Sequence, residues 1–284
     1  MAAAASIAVT GQTRLDGRVA LVTGAARGLG RTMAQALARA GAAVAFADLE
    51  NAERAAAEVA QEPGCGRVLG LACDITREGD CARAVAATLA AFGGLHILVN
   101  NAGKGPVHVE VSPRTTSLKF WEADPDIWQQ VIVTNVNGTF LMSRQAVPAM
   151  IGAGWGRIIN ITTSLATMQR RQNSPYGVSK AAIEAATLIW AQDLEGTGVT
   201  VNSLIPGGAV DTDFVSAAMR RSGRPLLQPQ VMIAPLLWLA SPASDAITGA
   251  RFVGKNWDGR LAPEAAARAA REAPVLLPPP PDVR

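Results

Sequence analysis

Short apolar runs recur along the chain at Arg18 to Thr23, Ala42 to Ala47, Arg67 to Ala72, Leu95 to Val99, Gly156 to Ile161 and Val199 to Ile205, with a further run near residue 250. Each reads as a buried strand. Between them apolar and polar residues recur at helical spacing. Arg31 to Ala40 does so and stops at Gly41, and longer stretches with an apolar stripe fill Asp126 to Ala149 and Pro175 to Glu195. Strands alternating with helices predict an α/β fold around a mainly parallel sheet. Right-handed crossovers then bring the carboxyl ends of the strands to one edge, where binding chemistry is expected.

The first of those strand ends is rich in glycine. Thr23 leads into Gly24-Ala25-Ala26-Arg27-Gly28-Leu29-Gly30 and then a helix. Glycines at such a turn let the backbone approach a pyrophosphate, whose charge is held by amides at the helix N-terminus. The second strand ends at Asp48, 18 residues beyond Gly30, close to the separation at which a carboxylate meets the adenine ribose. Asp48 favours NAD, because it repels the 2'-phosphate of NADP; Arg27 is the one nearby group able to pair with that phosphate. After the third strand, Asp74, next to Ile75, either accepts a bond from the adenine amine or caps the following helix. The fourth runs into Asn100-Asn101-Ala102-Gly103, where amides can bond backbone groups and the glycine leaves room for a ribose.

Tyr176 and Lys180 lie four residues apart just after Pro175, so a helix starting there projects a phenol and an ammonium from one face. A fixed cation stabilises a phenolate, and each unit of downward shift needs about 1.4 kcal/mol. The pair is a candidate proton-transfer device.

Taken in order, these motifs resemble the short-chain dehydrogenase/reductase family over roughly Leu15 to Val253. The carriers are T-G-x-x-x-G-x-G at Thr23 to Gly30, N-N-A-G at Asn100 to Gly103, Asn135, a hydroxyl residue before the tyrosine, Tyr176-x-x-x-Lys180, and Pro206-Gly207 after the sixth strand. The resemblance implies a Rossmann-type doubly wound fold with seven strands in the order 3-2-1-4-5-6-7. It also implies an NAD(H)-dependent oxidoreductase that interconverts a secondary alcohol and a ketone. Tyr176 is then the general acid/base, Lys180 lowers its pKa and grips the nicotinamide ribose, and the Asn135 backbone holds a water behind the lysine. The nucleotide is expected against Gly24, Arg27, Gly28, Leu29, Gly30, Asp48, Asp74, Ile75, Asn101, Ala102, Gly103, Tyr176, Lys180, Pro206 and Gly207, with Thr212 on the nicotinamide carboxamide. The family places a serine where this chain has Thr163; Thr163 is expected to contact the substrate oxygen, with Ser164 as the alternative. The helices at Asp126 to Ala149 and Pro175 to Glu195 imply a homodimer or homotetramer. A nucleotide-binding regulator with little turnover, or an internal-redox dehydratase or epimerase, is the competing reading.

Composition narrows the rest. The 284 residues are 49% apolar, enough for one core, so a single domain is expected over 14–259, with a tail at 1–13 and a Pro-rich extension at 260–284. The net charge of +3 is scattered, which excludes a nucleic-acid face. Cys65, Cys73 and Cys81 lack disulfide or metal spacing, so no metal and a reducing cytoplasm are expected. No apolar stretch is long enough to span a bilayer, and no membrane segment is expected. Between Lys104 and Asn135 the chain is about ten residues longer than the family pattern. That segment, with His108, Arg114, Lys119, Phe120 and Trp121, is either a roof over the site or an exposed loop. Asp211 to Gln230 is a candidate lid, and Arg170 and Arg171 either meet a substrate anion or sit on the surface.

Overall fold

The computed structural model describes residues 14–105, 119–215 and 217–275. The apolar runs form β1 (Val19–Thr23), β2 (Ala43–Asp48), β3 (Val68–Ala72), β4 (Ile97–Asn100), β5 (Gly156–Ile161), β6 (Val199–Ile205) and β7 (Arg251–Val253). A short β8 (Arg271–Glu272) follows, and the sheet order is β3-β2-β1-β4-β5-β6-β7-β8. All neighbours are parallel except the last pair. The fold is a Rossmann-type doubly wound α/β sheet, with the expected order of seven strands and one antiparallel strand added at its edge.

Helices cover both faces: α1 (Gly28–Arg39), α2 (Ala52–Ala60), α3 (Glu78–Phe92), α4 (Pro125–Ile132), α5 (Gly138–Gly152), α6 (Leu165–Met168), α7 (Tyr176–Asp193), α8 (Ala217–Arg221), α9 (Ile233–Leu239) and α10 (Pro263–Ala270). Side chains alternate across a strand, so one run feeds two cores. Ala20 and Val22 of β1 join Met33 and Leu37 of α1 on one face, while Leu21 joins Val85 of α3 and Met142 of α5 on the other. Covered on both faces, the strands read as mainly apolar runs, and the polar residues they do carry, such as Asn160 and Asn202, are buried and hydrogen-bonded. Each fully buried Leu or Phe, such as Leu21 or Phe46, contributes about 1.5–3 kcal/mol.

The helix expected from Asp126 to Ala149 is present but interrupted. Asp124 caps α4 by accepting from Asp126 N at 2.8 Å. A π-helical turn at Val133–Asn137 then separates α4 from α5 and carries Asn135. Such turns redirect a few side chains without ending the helix.

Residues beyond 259 pack onto the domain, past the expected boundary. Ala266, Ala267 and Ala270 of α10 are buried, and Arg251 and Phe252 of β7 pair in register with Glu272 and Arg271 of β8. A chain of rings, Phe252, Trp238 and Trp257 at centroid separations of 5.7 and 6.2 Å, fills the space beneath. The expected tail at 1–13, the prolines Pro278 to Pro281, and His108 and Arg114 lie outside the described residues. Among the described residues no helix is long and apolar enough to cross a membrane, and no group of three or more potential metal ligands occurs.

Candidate active site

A cavity of about 480 Å³ opens at the carboxyl ends of β1, β4, β5 and β6. The glycine-rich turn forms one wall. A Cβ on Gly30 would stand 1.9 Å from the carbonyl oxygen of Gly24, so only glycine permits α1 to start this close to the strand. No side chain caps the N-terminus of α1, whose first residues Gly28, Leu29 and Gly30 line the cavity. Its amides and helix dipole therefore suit an anion.

The neighbouring strand end holds this turn in place. The Asn101 amide donates to the carbonyls of Thr23 and Gly24 at 3.0 and 3.1 Å, and Thr23 Oγ1 accepts from the backbone of Asn101 and Ala102. Asn101, Ala102 and Gly103 all line the cavity, but the Asn101 side chain is spent on the backbone. Asp48 also reaches the turn: its Oδ2 accepts from Ala26 N at 2.8 Å. One carboxylate oxygen is thus fixed, and Arg27 lies on the same wall.

Asp74 and Ile75 are not brought to this wall. The Asp74 carboxylate closes a local turn, accepting from the backbone and hydroxyl of Thr76 at 2.9 and 2.7 Å. The cap alternative also fails, because α3 starts after Arg77. Ile75 is 7% exposed and occupies the space a Cβ on Gly138 would need. Pro206, Gly207 and Thr212 do line the cavity, and Thr212 approaches the glycine turn at Gly28.

Tyr176 opens α7 directly after Pro175, as the spacing predicts, and Lys180 follows one turn later. Both are buried. The Lys180 ammonium donates to the carbonyl of Ile161 at 2.7 Å, and a Cβ on Gly103 would stand 3.8 Å from Lys180 Nζ and 3.0 Å from Asn135 Oδ1. Thr163 and Tyr176 line the same cavity, and Thr163 acts to lower the phenol's pKa. Burial pushes the Tyr176 phenol up to about 12, against a lowering by Thr163 and then by the Arg170 charge. Burial likewise brings Lys180 down to about 8, with Glu184 acting in the opposite sense. The expected acidified phenol is therefore absent from the protein alone: desolvation outweighs every nearby cation.

Ser164 also lines the cavity, but its side chain is drawn into a helix cap. It caps α6, its Oγ accepting from Thr167 N at 3.2 Å and lying 2.8 Å from the Thr167 hydroxyl. Ser164→Ala should accordingly cost about 1 kcal/mol of stability with little change in kcat, whereas Thr163→Ala should lower kcat by about a hundredfold. Thermal melts and steady-state rates on the two variants distinguish the roles, and the reverse pattern would move the substrate contact to Ser164.

Asn135 sits behind the cavity. Its side chain accepts from Lys104 N at 2.7 Å and donates to Lys104 O and Ser179 Oγ at 2.9 Å. Its carbonyl accepts from the Thr139 hydroxyl at 2.8 Å. Asn135 thus ties the strand end after Gly103 to α7, a use of its side chain that the sequence pattern did not indicate.

The described part of the segment after Lys104 does not line the main cavity, and Phe120 and Trp121 are exposed, as in the loop alternative. Phe120 and Trp121 stack edge to face at 5.2 Å and line a separate side cavity with Lys119, Arg170 and Arg171. Arg170 borders both cavities, Arg171 only the side one. In the candidate lid, α8 is tethered by Arg220, which bonds Asp211 and the Thr212 carbonyl, and Leu227 pairs with Val210. Phe214 lies 6.0 Å from the Tyr176 ring.

Sequence reasoning missed a buried ion pair behind Thr163. Arg251, 2% exposed, bonds Glu184 and donates to the Thr163 carbonyl at 2.8 Å; Thr162 Oγ1 also bonds Glu184. The glutamate's spacing, four residues after Lys180 on α7, was the available signal.

Comparison with known proteins agrees with this arrangement. The family model for short chain dehydrogenases matches residues 18–222. A D-threitol dehydrogenase of Mycolicibacterium smegmatis is 34% identical over 266 residues, covering 89% of this chain and 97% of its own. A trans-4-hydroxycyclohexanecarboxylate dehydrogenase of Sinomonas cyclohexanicum is 36% identical over 252 residues, 84% and 92% of the two chains. Among solved structures, a 3-ketoacyl-(acyl-carrier-protein) reductase from Brucella melitensis complexed with NADH superposes with a TM-score of 0.72 at 31% identity, covering 83% of this chain and 96% of that one. With this match over most of its length, and with the glycine turn, Tyr176 and Lys180 around one cavity, the chain belongs to the short-chain dehydrogenase family.

Proposed function

We propose that this protein is an NAD(H)-dependent oxidoreductase interconverting a secondary alcohol and a ketone, with Tyr176 as the general acid/base. The observation that carries the reading is the meeting of Tyr176, Thr163 and Lys180 in one cavity with the glycine turn and Asp48. The residues fit a dinucleotide: a glycine cradle that a Cβ would fill, an uncapped helix N-terminus, and a carboxylate at the end of β2. The relatives whose names state a substrate act on hydroxylated compounds.

A bound nicotinamide supplies or accepts the hydride. The chain's own part is to hold the substrate oxygen and move its proton. In reduction, Tyr176 gives its proton to the carbonyl oxygen while Thr163 donates a second hydrogen bond, countering charge as it develops there. In oxidation, the phenolate takes the alcohol proton. Lys180, pinned through Ile161, stands where it can bond ribose hydroxyls and compensate the phenolate. Phe214 and Pro206 line the same cavity, with the Phe214 ring 6.0 Å from that of Tyr176. The exposed Phe140 and Ile151 of α5 and Val178 and Ile189 of α7 support a homodimer or homotetramer through these helices. A cytoplasmic location is part of the same proposal.

NAD is the cofactor proposed, on the strength of Asp48. An Asp48→Asn change keeps an acceptor for Ala26 N and removes the charge, so the ratio of kcat/KM with NADP to that with NAD should rise about a hundredfold as like-charge repulsion of several kcal/mol is relieved. The measurement is nucleotide reduction followed by absorbance across a panel of secondary alcohols. NADH binding without any turnover of the panel, or of the matching ketones, would favour a regulator that only senses the nucleotide.

A further inference from the structure

We propose that Arg170 receives a carboxylate carried by the alcohol or ketone on which Tyr176 acts, so that the natural substrates are hydroxy acids or keto acids. The inference rests on the proposed oxidoreductase reading and adds the substrate's charge to it.

Arg170 is an exposed residue that lines both the side cavity and the main cavity, which also holds Tyr176 and Thr163. Its guanidinium is held in place: Nη2 donates to Asn173 Oδ1 at 3.1 Å. Asn173 is itself buried at 6% exposure and anchored twice, its amide donating to Thr167 O at 2.6 Å and its backbone N to Arg170 O at 3.2 Å. An arginine has five N–H donors, and this bond uses one. No carboxylate pairs with Arg170 among the described residues, in contrast to the buried Arg157 and Arg251, each of which has an acidic partner. A preorganised guanidinium at the mouth of a reaction chamber loses little freedom when an anion docks, which favours planar, bidentate recognition of a carboxylate.

The position also fits the chemistry. Arg170 is near enough to the reaction centre for its charge to ease ionisation of the Tyr176 phenol. The Phe214 ring, 6.0 Å from that of Tyr176, gives the carbon skeleton an apolar surface. Asp213 and Arg224 line the same cavity with opposite charges, so Arg170 is left to set the charge preference, and its planar fork suits a carboxylate. Arg171 contributes only to the side cavity and serves as the control.

The test compares kcat/KM for 4-hydroxypentanoate and 4-hydroxycyclohexanecarboxylate, each against its methyl ester, in the wild type, Arg170→Ala, Arg170→Lys and Arg171→Ala; glycerol 3-phosphate is the phosphate arm. The wild type should prefer acid to ester, and Arg170→Ala should lower the acid-to-ester ratio by about 10- to 100-fold, mainly through KM, as expected for loss of a charge-assisted pair. Arg170→Lys should recover part of the ratio, and Arg171→Ala should leave it unaltered. Equal losses on acid and ester would make Arg170 a structural or electrostatic support for Tyr176 and overturn the proposal, as would a wild type that prefers esters or the phosphate. Calorimetric titration of cyclohexanecarboxylate into the NADH-saturated protein separates this from failure of the oxidoreductase reading. If no alcohol is turned over, binding that Arg170→Ala abolishes still supports the carboxylate site, and binding that it leaves unaltered, or no binding, rejects it.

Discussion

Tyr176→Phe will lower kcat by about a thousandfold in both directions while leaving NADH affinity within about twofold. The substitution keeps the ring that packs near Phe214 and removes only the hydroxyl. Thr163 and Lys180 stay in place, so substrate still meets one donor, but no group remains to exchange its proton. The pH dependence of the unmodified enzyme follows from the same pair. Burial holds the Lys180 ammonium down at about 8 and the Tyr176 phenol up at about 12. As pH rises, the first proton lost belongs to the pair, and the phenolate with ammonium is a tautomer of the phenol with neutral amine. Oxidation needs that singly deprotonated state, so its kcat/KM should climb about tenfold per pH unit and level off near pH ~8. Reduction needs the fully protonated pair, is complete below that pH and declines above it. Retention of more than a tenth of kcat in Tyr176→Phe, or profiles for oxidation and reduction that move in the same sense, would place proton transfer on another group.

The parts legible in the sequence were those governed by local rules. Strands buried on both faces announce themselves as apolar runs, and β5 and β6 were read to the residue, Gly156–Ile161 and Val199–Ile205. The glycine turn and the start of α7 at Tyr176 were legible because a Cβ clash and a helix period are properties of neighbouring residues. What escaped depends on contacts between distant ones. The capping role of Ser164 depends on which way α6 turns after β5. Asp74 Oδ1 closes a local turn with Thr76, a contact its residue type alone does not specify. The extension after residue 259 looked like a tail because the apolar face of its helix is made of alanines, each of which has little surface to bury. Its burial depends on the groove that Phe252, Trp238 and Trp257 create. The phenol's pKa was misjudged for a similar reason: spacing reveals a cation nearby, whereas burial, which dominates here, is a property of the whole fold.

Arg251→Met should destabilise the protein by about 3–5 kcal/mol, because it strands a carboxylate that the fold has taken out of water. Glu184 is 4% exposed, and burial already raises its pKa, with Arg251 as the strongest opposing influence. Without the guanidinium the folded-state pKa of Glu184 rises further above its unfolded value. Protonation then favours the folded form, so the defect should be smaller at mildly acid pH and grow as pH rises through the new pKa. The double change Arg251→Met, Glu184→Leu removes both charges and should recover much of the lost stability. Activity should not recover with it. Arg251 also donates to the Thr163 carbonyl at 2.8 Å, and Glu184 bonds the Thr162 hydroxyl, so the pair fixes the strand end that presents Thr163 to the substrate. A double variant with near-native melting but kcat about tenfold down would show the pair acting through Thr163 geometry, since a misplacement of the order of 1 Å is enough to slow an oriented reaction. Full recovery of kcat together with stability would reduce Arg251 to a packing element. The bond from Arg251 Nε to Glu272 at 3.3 Å extends the same logic to the edge of the sheet: β8 closes over the guanidinium that holds the cavity-lining Thr163.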